Sequence, residues 1–226
     1  MSDLKIVRTI PELRATVTAW RRDGQTVALV PTMGALHEAH MTLMQEARSR
    51  ADRVVATIFV NPTQFAENED LSTYPRREAK DIERLQQDEI DLLFAPDVSE
   101  IYPDGFATSV TVKGVSEGLC GDHRPGHFAG VATVVTKLLL QTLPDVALFG
   151  EKDFQQLQVI KSLTRDLDIP VKIIGVPTVR EPDGLAMSSR NAHLCADERI
   201  LDPVLHQILT EAAIKISAGD DIQQVC

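Results

Sequence analysis

Two histidines near the N-terminus, His37 and His40, have the spacing and the surroundings of a reactive pair. They stand in residues 31–40, which read PTMGALHEAH, after a short apolar run and before a helix-like pattern. A spacing of three residues at the start of a helix places both imidazoles on one face, beside free backbone N–H groups and the positive end of the helix dipole. Gly34 lets a ligand approach the backbone closely. This combination favours a polyphosphate site.

Two other interpretations of the histidine pair remain open on these residues alone. A helical zinc pair usually has histidines four residues apart and a third ligand, whereas here Glu38 stands between histidines that are three apart. Alternatively, both rings are polar groups of a solvated first helical turn. The choice depends on what other segments bring to the pair.

Further polar side chains stand where apolar runs end. Gln64 follows the second core run, and Lys152 and Gln156 follow the fourth. Open α/β sheets bind ligands at the carboxyl ends of their strands, so these positions are typical of a site. If the first and fourth strands are neighbours, Lys152 lies close to His37 and His40. The alternative for Gln64 is a structural role, capping the backbone of its turn.

The elements that would position these residues alternate between strand-like and helix-like patterns. The apolar runs are 27–30, 54–60, 90–95, 146–149 and 171–176, and the helix-like segments are 41–50, 78–87, 131–141 and 154–167. Strands that are apolar on both faces indicate a parallel sheet covered on both sides. The predicted fold is therefore α/β, a doubly wound Rossmann-like sheet. In a strand order of 3-2-1-4-5, the first and fourth of these strands would be neighbours.

Flanking segments carry weaker local signals. Residues 9–12 predict a capping box for an N-terminal helix that ends at Gly24. Residues 108–112 suggest a short hairpin within a long loop. Near the C-terminus, residues 180–184 predict a turn, and Asp202 with Pro203 predicts the start of a helix.

Composition excludes several classes of partner. The 226 residues are 43% hydrophobic and 25% charged, and a net charge of −10 offers no basic face to nucleic acid. No segment reaches the roughly 18 apolar residues of a membrane span, and the N-terminus lacks an apolar signal region, so we expect no membrane association and a cytoplasmic location. Cys120, Cys195 and Cys226 lie far apart and predict neither a disulfide nor a structural zinc site.

Five ordered motifs carry a resemblance to a known family. They are PTMG with the two histidines in residues 31–40, FVNPTQF in 59–65, RPGHF in 124–128, GEKDFQQ in 150–156 and MSSRN in 187–191. Together they resemble the pantoate–β-alanine ligase family, part of the nucleotidyltransferase superfamily with a His-x-Gly-His motif. The resemblance implies that ATP and pantoate form a pantoyl adenylate and pyrophosphate, and that β-alanine then displaces AMP. It also implies Mg²⁺ with the ATP, and a homodimer.

The same resemblance implies roles for individual residues. His40 corresponds to the family's catalytic histidine, with His37 and Lys152 beside it. The implied ATP contacts are Met33, Gly34, Ala35, Leu36, His37, Glu38, Ala39, His40, Gly150, Glu151, Lys152, Asp153, Val179, Met187, Ser188, Ser189 and Arg190. The implied substrate contacts are Gln64, Gln156 and Arg124, and Asp81 corresponds to an acidic position near the metal.

The chemistry of the residues agrees with these implied roles. A carboxylate with a pKa near ~4 is already ionised at neutral pH, so adenylation needs no general base and the histidines should act on phosphate charge. The sequence identifies no base for the amine of β-alanine. Arg190 could grip phosphates from a mobile loop. The alternative for that loop is a surface turn in which Ser188 or Ser189 caps the next helix.

Two features depart from the family pattern. Ala39 stands where the family usually has glycine, and we expect ATP binding to be retained there at equal or lower affinity. Family members also continue further at the C-terminus. We therefore predict a Rossmann-like nucleotide- and pantoate-binding domain in residues 1–178 and a partial C-terminal lid domain in 179–226, with impaired turnover. Another nucleotidyltransferase of this superfamily and a noncatalytic nucleotide-binding module are the alternatives.

Overall fold

A computed structural model describes residues 4–66 and 69–225, and in this part of the chain one parallel sheet organises the fold. Its strands are β1 (Lys5–Val7), β2 (Val27–Val30), β3 (Arg53–Thr57), β4 (Leu92–Phe94), β5 (Val146–Gly150) and β6 (Lys172–Val176). The order across the sheet is β1-β4-β3-β2-β5-β6, and each neighbouring pair is parallel. The five strands that the sequence predicted thus lie in the order 3-2-1-4-5, in which the first and fourth are neighbours.

The helices connect and cover these strands. They are α1 (Ile10–Arg22), α2 (Glu38–Arg48), α3 (Glu78–Gln87), α4 (Val98–Ile101), α5 (Cys120–His123), α6 (His127–Thr142), α7 (Phe154–Asp166), α8 (Ala196–Ser217) and α9 (Ile222–Val225). Short 3₁₀ turns cover Pro62–Gln64, Glu151–Asp153 and Ser189–His193. No helix in the described residues combines the length and apolarity that crossing a bilayer requires.

Alternate residues of the central strands enter two separate cores. In β2, Leu29 packs into the core formed with α1, α6 and α7, whereas Ala28 and Val30 pack into the core formed with α2 and α3. A strand buried on both faces must be apolar throughout, and all four residues of β2 are buried. The doubly wound α/β fold is therefore confirmed.

The N-terminal helix follows its local sequence signals. Thr9 accepts a hydrogen bond from the backbone N–H of Glu12, and the Glu12 carboxylate accepts one from the backbone N–H of Thr9 at 3.1 Å. This is the predicted capping box. The helix ends at Arg22, and Gly24 then adopts a left-handed φ of 75°.

Three local predictions differ from the structure. Strand β1 was not predicted, because it is a three-residue edge strand with two exposed residues and no apolar run. The hairpin at 108–112 is wrong: in the described chain this segment forms no strand, and the backbone N–H of Val110 donates instead to Thr133 Oγ1 of α6 at 2.9 Å. The predicted start of α8 is also wrong, since the helix begins at Ala196 and Pro203 lies inside it.

The segment after β6 leads back to the sheet before α8 begins. Arg180 and Ala186 form an antiparallel bridge that closes the predicted turn. The following residues, Met187 to Arg190 among them, lie against the carboxyl edge of the sheet. The proposed domain boundary near residue 179 remains a prediction.

Candidate active site

One cleft lies at the carboxyl ends of β2, β3 and β5, where the sheet order makes β2 and β5 neighbours. It is bounded by the loop after β2, the start of α2, the turn after β3, the turn after β5 and the segment after β6. Residues of interest in its lining are Met33, His37, Ala39, His40, Asn61, Gln64, Tyr74, Gly150, Lys152, Asp153, Gln156, Val179, Met187, Ser188, Ser189 and Arg190. The rule that open α/β sheets bind ligands at the carboxyl ends of their strands therefore predicted where the cleft lies.

The histidine pair stands at the start of α2. His37 is the N-cap residue, and the helix itself begins at Glu38, so only His40 lies within the first turn. The two ring centroids are 4.1 Å apart. His40 Nδ1 accepts a hydrogen bond from the backbone N–H of His37 at 3.2 Å. Neutral His40 must therefore carry its proton on Nε2, which makes that nitrogen a donor.

Both imidazoles are held in the neutral form. The pKa of His40 is lowered to about 3, mainly by burial and in addition by the nearby His37, Lys152 and Arg84. Burial also lowers the pKa of His37, again with help from Lys152 and Arg84. His37 Nδ1 is buried and has no hydrogen-bond partner within the described residues. The pair thus offers uncharged donors and acceptors, and the positive charge comes from Lys152.

The lowered pKa of His40 predicts an acid-sensitive fold. A histidine whose pKa is lower in the folded state stabilises the protein above its unfolded pKa, and this contribution is lost as the pH falls toward the folded pKa. Between pH 7 and pH 5, the His40 contribution to the free energy of unfolding should fall by about 2 kcal/mol. His40→Asn, which keeps an acceptor near Nδ1, should reduce this loss in urea titrations at the two pH values. The exposed His123→Asn is the control, and an equal reduction there would contradict the assignment.

A buried carboxylate shapes the loop between β2 and α2. Asp81 of α3 is 2% exposed and accepts backbone hydrogen bonds from Ala35 and Leu36, both at 2.8 Å. Gly34 has a φ of 84°, and a Cβ there would lie 3.0 Å from Asp81 Oδ2. Burial raises the pKa of Asp81, while the two backbone hydrogen bonds oppose that shift. The structure thus gives Asp81 a role in holding the loop, and its assignment to a metal remains a prediction.

The amide of Gln64 is oriented by a residue that sequence reasoning missed. Asn61 is 1% exposed, and its Oδ1 accepts from Tyr102 at 2.8 Å and from Thr63 Oγ1 at 2.9 Å. Its Nδ2 must then be the donor to Gln64 Oε1, at 3.0 Å. The Gln64 amino group is left with a weak contact to Met33 Sδ at 3.3 Å. Gln64 therefore presents donors to the cleft, where a substrate oxygen would be the matching group.

The turn after β5 brings a cation and an amide to the same cleft. Lys152 lies in the 3₁₀ turn, 3.4 Å from the carboxylate of Asp153, and its side chain is 39% exposed. Gln156 lies in the first turn of α7. Glu151 packs differently, because its side chain lies against Gly175 of β6. Five predicted ATP contacts are not among the cleft-lining residues: Gly34, Ala35, Leu36, Glu38 and Glu151.

Arg190 lies at the wall of the cleft but is engaged with a carboxylate. Its Nη2 and Nε atoms are 3.0 and 3.1 Å from the two oxygens of Asp70. The Tyr74 ring centroid lies 5.9 Å from its guanidinium carbon. Ser188 caps the following 3₁₀ turn by accepting from the Arg190 backbone N–H at 3.2 Å. To bind this guanidinium, a polyphosphate would have to share it with Asp70 or displace Asp70.

Arg124 does not line the cleft. Its Nε and Nη2 atoms donate to the two Glu69 carboxylate oxygens at 2.5 and 2.6 Å. A third nitrogen lies 3.1 Å from His127 Nε2. Arg124 Nη2 also lies 3.5 Å from the backbone carbonyl oxygen of Gln64, on the side of the turn away from the cleft lining. Its predicted contact with substrate remains a prediction.

The comparisons with known proteins agree with this geometry. A family model described as pantoate-beta-alanine ligase matches residues 5–225. The chain belongs to this family. The pantothenate synthetase of Paramagnetospirillum magneticum is 61% identical over 98% of the chain and 78% of its own length. The resemblance predicted from the five motifs is thereby confirmed.

Solved structures of the family share the fold. The pantothenate synthetase of Thermus thermophilus superposes with a TM-score of 0.94 at 47% identity, over 98% of this chain and 79% of that one. The pantoate-beta-alanine ligase of Francisella tularensis, described as complexed with beta-gamma ATP and β-alanine, has a TM-score of 0.86 at 41% identity, over 92% of this chain and 79% of that one.

Ala39 is the departure from the ligase-family pattern that lies in the cleft. It occupies the first turn of α2, between the two histidines. Alanine stabilises a helix relative to glycine by about 1 kcal/mol. We expect Ala39→Gly to change the ATP dissociation constant by at most about threefold and to lower the free energy of unfolding by at most about 1 kcal/mol. Calorimetric titration and urea unfolding measure the two effects, and unchanged ATP affinity would show that the methyl group does not crowd the nucleotide.

Proposed function

We infer that this chain joins pantoate to β-alanine at the expense of ATP, through a pantoyl adenylate. The observation that carries this inference is the cleft itself, in which two neutral imidazoles, one lysine and two glutamines from separate segments converge. Family membership supplies the reaction class, because the matching family is a pantoate–β-alanine ligase. The ligase prediction made from the sequence is therefore supported at the level of both family and fold.

In the first step, a pantoate carboxylate oxygen would bond to the α-phosphorus of ATP while the bond to the β-phosphate oxygen breaks, releasing pyrophosphate. Two anions must be brought together, so the site has to supply positive charge and directed donors. Lys152 supplies the charge. His40 supplies a neutral Nε2–H donor, since its Nδ1 is already occupied by the His37 backbone N–H.

In the second step, the amine of β-alanine, after loss of a proton from its ammonium form, would attack the acyl carbon and displace AMP. Gln64 and Gln156 are the proposed holders of the acyl substrate. The amide orientation of Gln64, with its amino group toward the cleft, suits a carboxylate or hydroxyl oxygen. The adenylate must be shielded from water while it waits, and residues 179–226 are the proposed part of a lid that does so.

Magnesium is proposed only as the ion that accompanies the nucleotide. No group of three or more His, Cys, Asp or Glu side chains suited to a metal occurs in residues 4–66 and 69–225. Asp81 is 2% exposed and both of its oxygens accept backbone hydrogen bonds, so its contacts fit a role in holding the loop better than the role of a metal ligand. A cytoplasmic location and a homodimer are also proposed, and light scattering of the purified chain tests the dimer.

An assay with and without β-alanine separates the two half-reactions. With ATP and pantoate alone, we expect a burst of pyrophosphate limited to about one per site, because the adenylate stays bound. Adding β-alanine should then give continuous release of AMP. Pyrophosphate produced from nicotinamide mononucleotide or pantetheine phosphate instead would reassign the substrate. ATP binding without pyrophosphate from any of these would favour a noncatalytic module.

A further inference from the structure

The motif RPGHF, residues 124–128, contributes no side chain to the cleft lining, yet its histidine contacts the turn that carries Gln64. His127 is the first residue of α6 and is 8% exposed. Its Nδ1 lies 2.8 Å from the backbone carbonyl oxygen of Gln64. Its Nε2 lies 3.1 Å from an Arg124 nitrogen. The ring therefore bridges the arginine and the Gln64 turn.

The partners of the ring determine where its proton lies. A guanidinium has donors and no acceptor, so His127 Nε2 must accept from Arg124 and cannot carry a proton. The proton is then on Nδ1, which donates to the carbonyl of Gln64. Burial lowers the pKa of His127 and the charge of Arg124 acts in the same direction, while the hydrogen bond to the Gln64 carbonyl and the charges of Glu69 and Asp153 oppose them. The net shift is downward, which favours the neutral ring. Glu69 holds Arg124 in place through two hydrogen bonds.

A second set of contacts ties the same turn to α6. A Cβ at Gly130 would lie 2.3 Å from the carbonyl oxygen of Thr63, so the helix backbone packs directly on the turn. Asn61 Nδ2 donates to the carbonyl of Gly130 at 3.2 Å. The turn is thus held at Asn61, Thr63 and Gln64. At the Gln64 carbonyl, His127 makes the short contact of 2.8 Å, and Arg124 Nη2 makes a longer one of 3.5 Å.

We propose that His127 is a positioning residue for Gln64, a neutral imidazole whose proton is fixed on Nδ1 by Arg124 and which tethers the Gln64 carbonyl. It touches no reacting atom. Its loss would let the Gln64 carboxamide move relative to Gln156 while the ATP side of the cleft, built on α2 and Lys152, stays in place. The proposal rests on the proposed function, in which Gln64 holds pantoate.

Two substitutions of His127 distinguish its hydrogen bond to Gln64 from its contribution to packing. His127→Leu fills similar space without a donor, and we expect the KM for pantoate to rise about tenfold with ATP affinity and adenylation kcat nearly unchanged. His127→Asn places an amide donor near the position of Nδ1 and should restore the KM to within about threefold of the parent chain. The exposed His123→Asn is the matched control and should change nothing.

The tautomer gives a readout that does not depend on activity. In ¹H–¹⁵N spectra of the full chain, with the signal assigned through His127→Asn, His127 should show a protonated Nδ1 and an unprotonated Nε2. Arg124→Met should shift that population toward Nε2–H and raise the pantoate KM. A protonated Nε2 in the parent chain, or a His127→Leu variant whose pantoate KM matches the parent, would overturn the proposal. If the parent chain releases no pyrophosphate with pantoate, the proposed function fails. The tautomer measurement still tests whether His127 Nδ1–H holds the Gln64 carbonyl.

Discussion

Lys152→Ala is expected to lower kcat for pyrophosphate release by about 10³-fold, which corresponds to about 4 kcal/mol of transition-state stabilisation. The two imidazoles beside it are neutral because burial lowers their pKa values, so they cannot replace its charge. Arg190 is paired with Asp70 and cannot replace it without giving up that contact. The transition state of adenylation would therefore lose its main positive charge in the cleft.

Two further variants test whether the effect comes from the charge of Lys152 and from its position in the cleft. Lys161→Ala removes an exposed lysine of α7, the helix that follows the Lys152 turn, and should leave kcat unchanged. Lys152→Arg keeps the charge but spreads it over a planar group, and should recover part of the lost rate. Stopped-flow pyrophosphate release at saturating ATP measures all three variants. A Lys152→Ala enzyme that loses only ATP affinity, with kcat intact, would show that the lysine binds ground state and transition state equally.

The elements that sequence reasoning placed well are those governed by local rules. Alternating apolar runs and helical patterns predicted the five core strands. The strand-end rule, for a sheet in which the first and fourth strands are neighbours, then placed His37, His40 and Lys152 in one cleft. Such patterns depend only on which faces are buried, and burial leaves a periodic signal in the chain. Edge strand β1 leaves no such signal, because two of its three residues are exposed.

The contacts that sequence reasoning did not find join residues far apart in the chain. Tyr102 and Asn61 are 41 positions apart, and Arg124 and Glu69 are 55 apart. A hydrogen bond between distant residues depends on the packing of whole elements, which no local pattern encodes. Arg124 illustrates the result: its motif marked it as important, but its partner could not be known, and the structure places it behind the Gln64 turn rather than in the cleft. Asn61 gave only one signal, its position before Pro62 at a strand end.

Asp81 also makes contacts with residues far away in the chain, and one variant tests what those contacts do. Its partners, the backbone N–H groups of Ala35 and Leu36, lie 46 and 45 positions away. Asp81→Ala would leave both N–H groups without their acceptor beside a loop whose residues Gly34 and Ala35 have positive φ. We expect the free energy of unfolding to fall by about 2–4 kcal/mol and ATP binding to weaken at least tenfold. Urea unfolding and calorimetry measure these two effects.

Asp81→Asn should be nearly as damaging, although it has the same shape. Only one of its side-chain atoms can accept, so its amino group would face a backbone N–H and two donors would meet. The exposed Glu83→Ala on the same helix is the control and should leave stability unchanged. If Asp81 were a magnesium ligand, the results would differ. The free energy of unfolding of the Asp81 variants would match that of the parent chain in the absence of magnesium, and a higher magnesium concentration would restore their reaction rate. Loss of stability in metal-free buffer identifies Asp81 as the tether of the loop between β2 and α2, because a magnesium ligand contributes nothing when magnesium is absent.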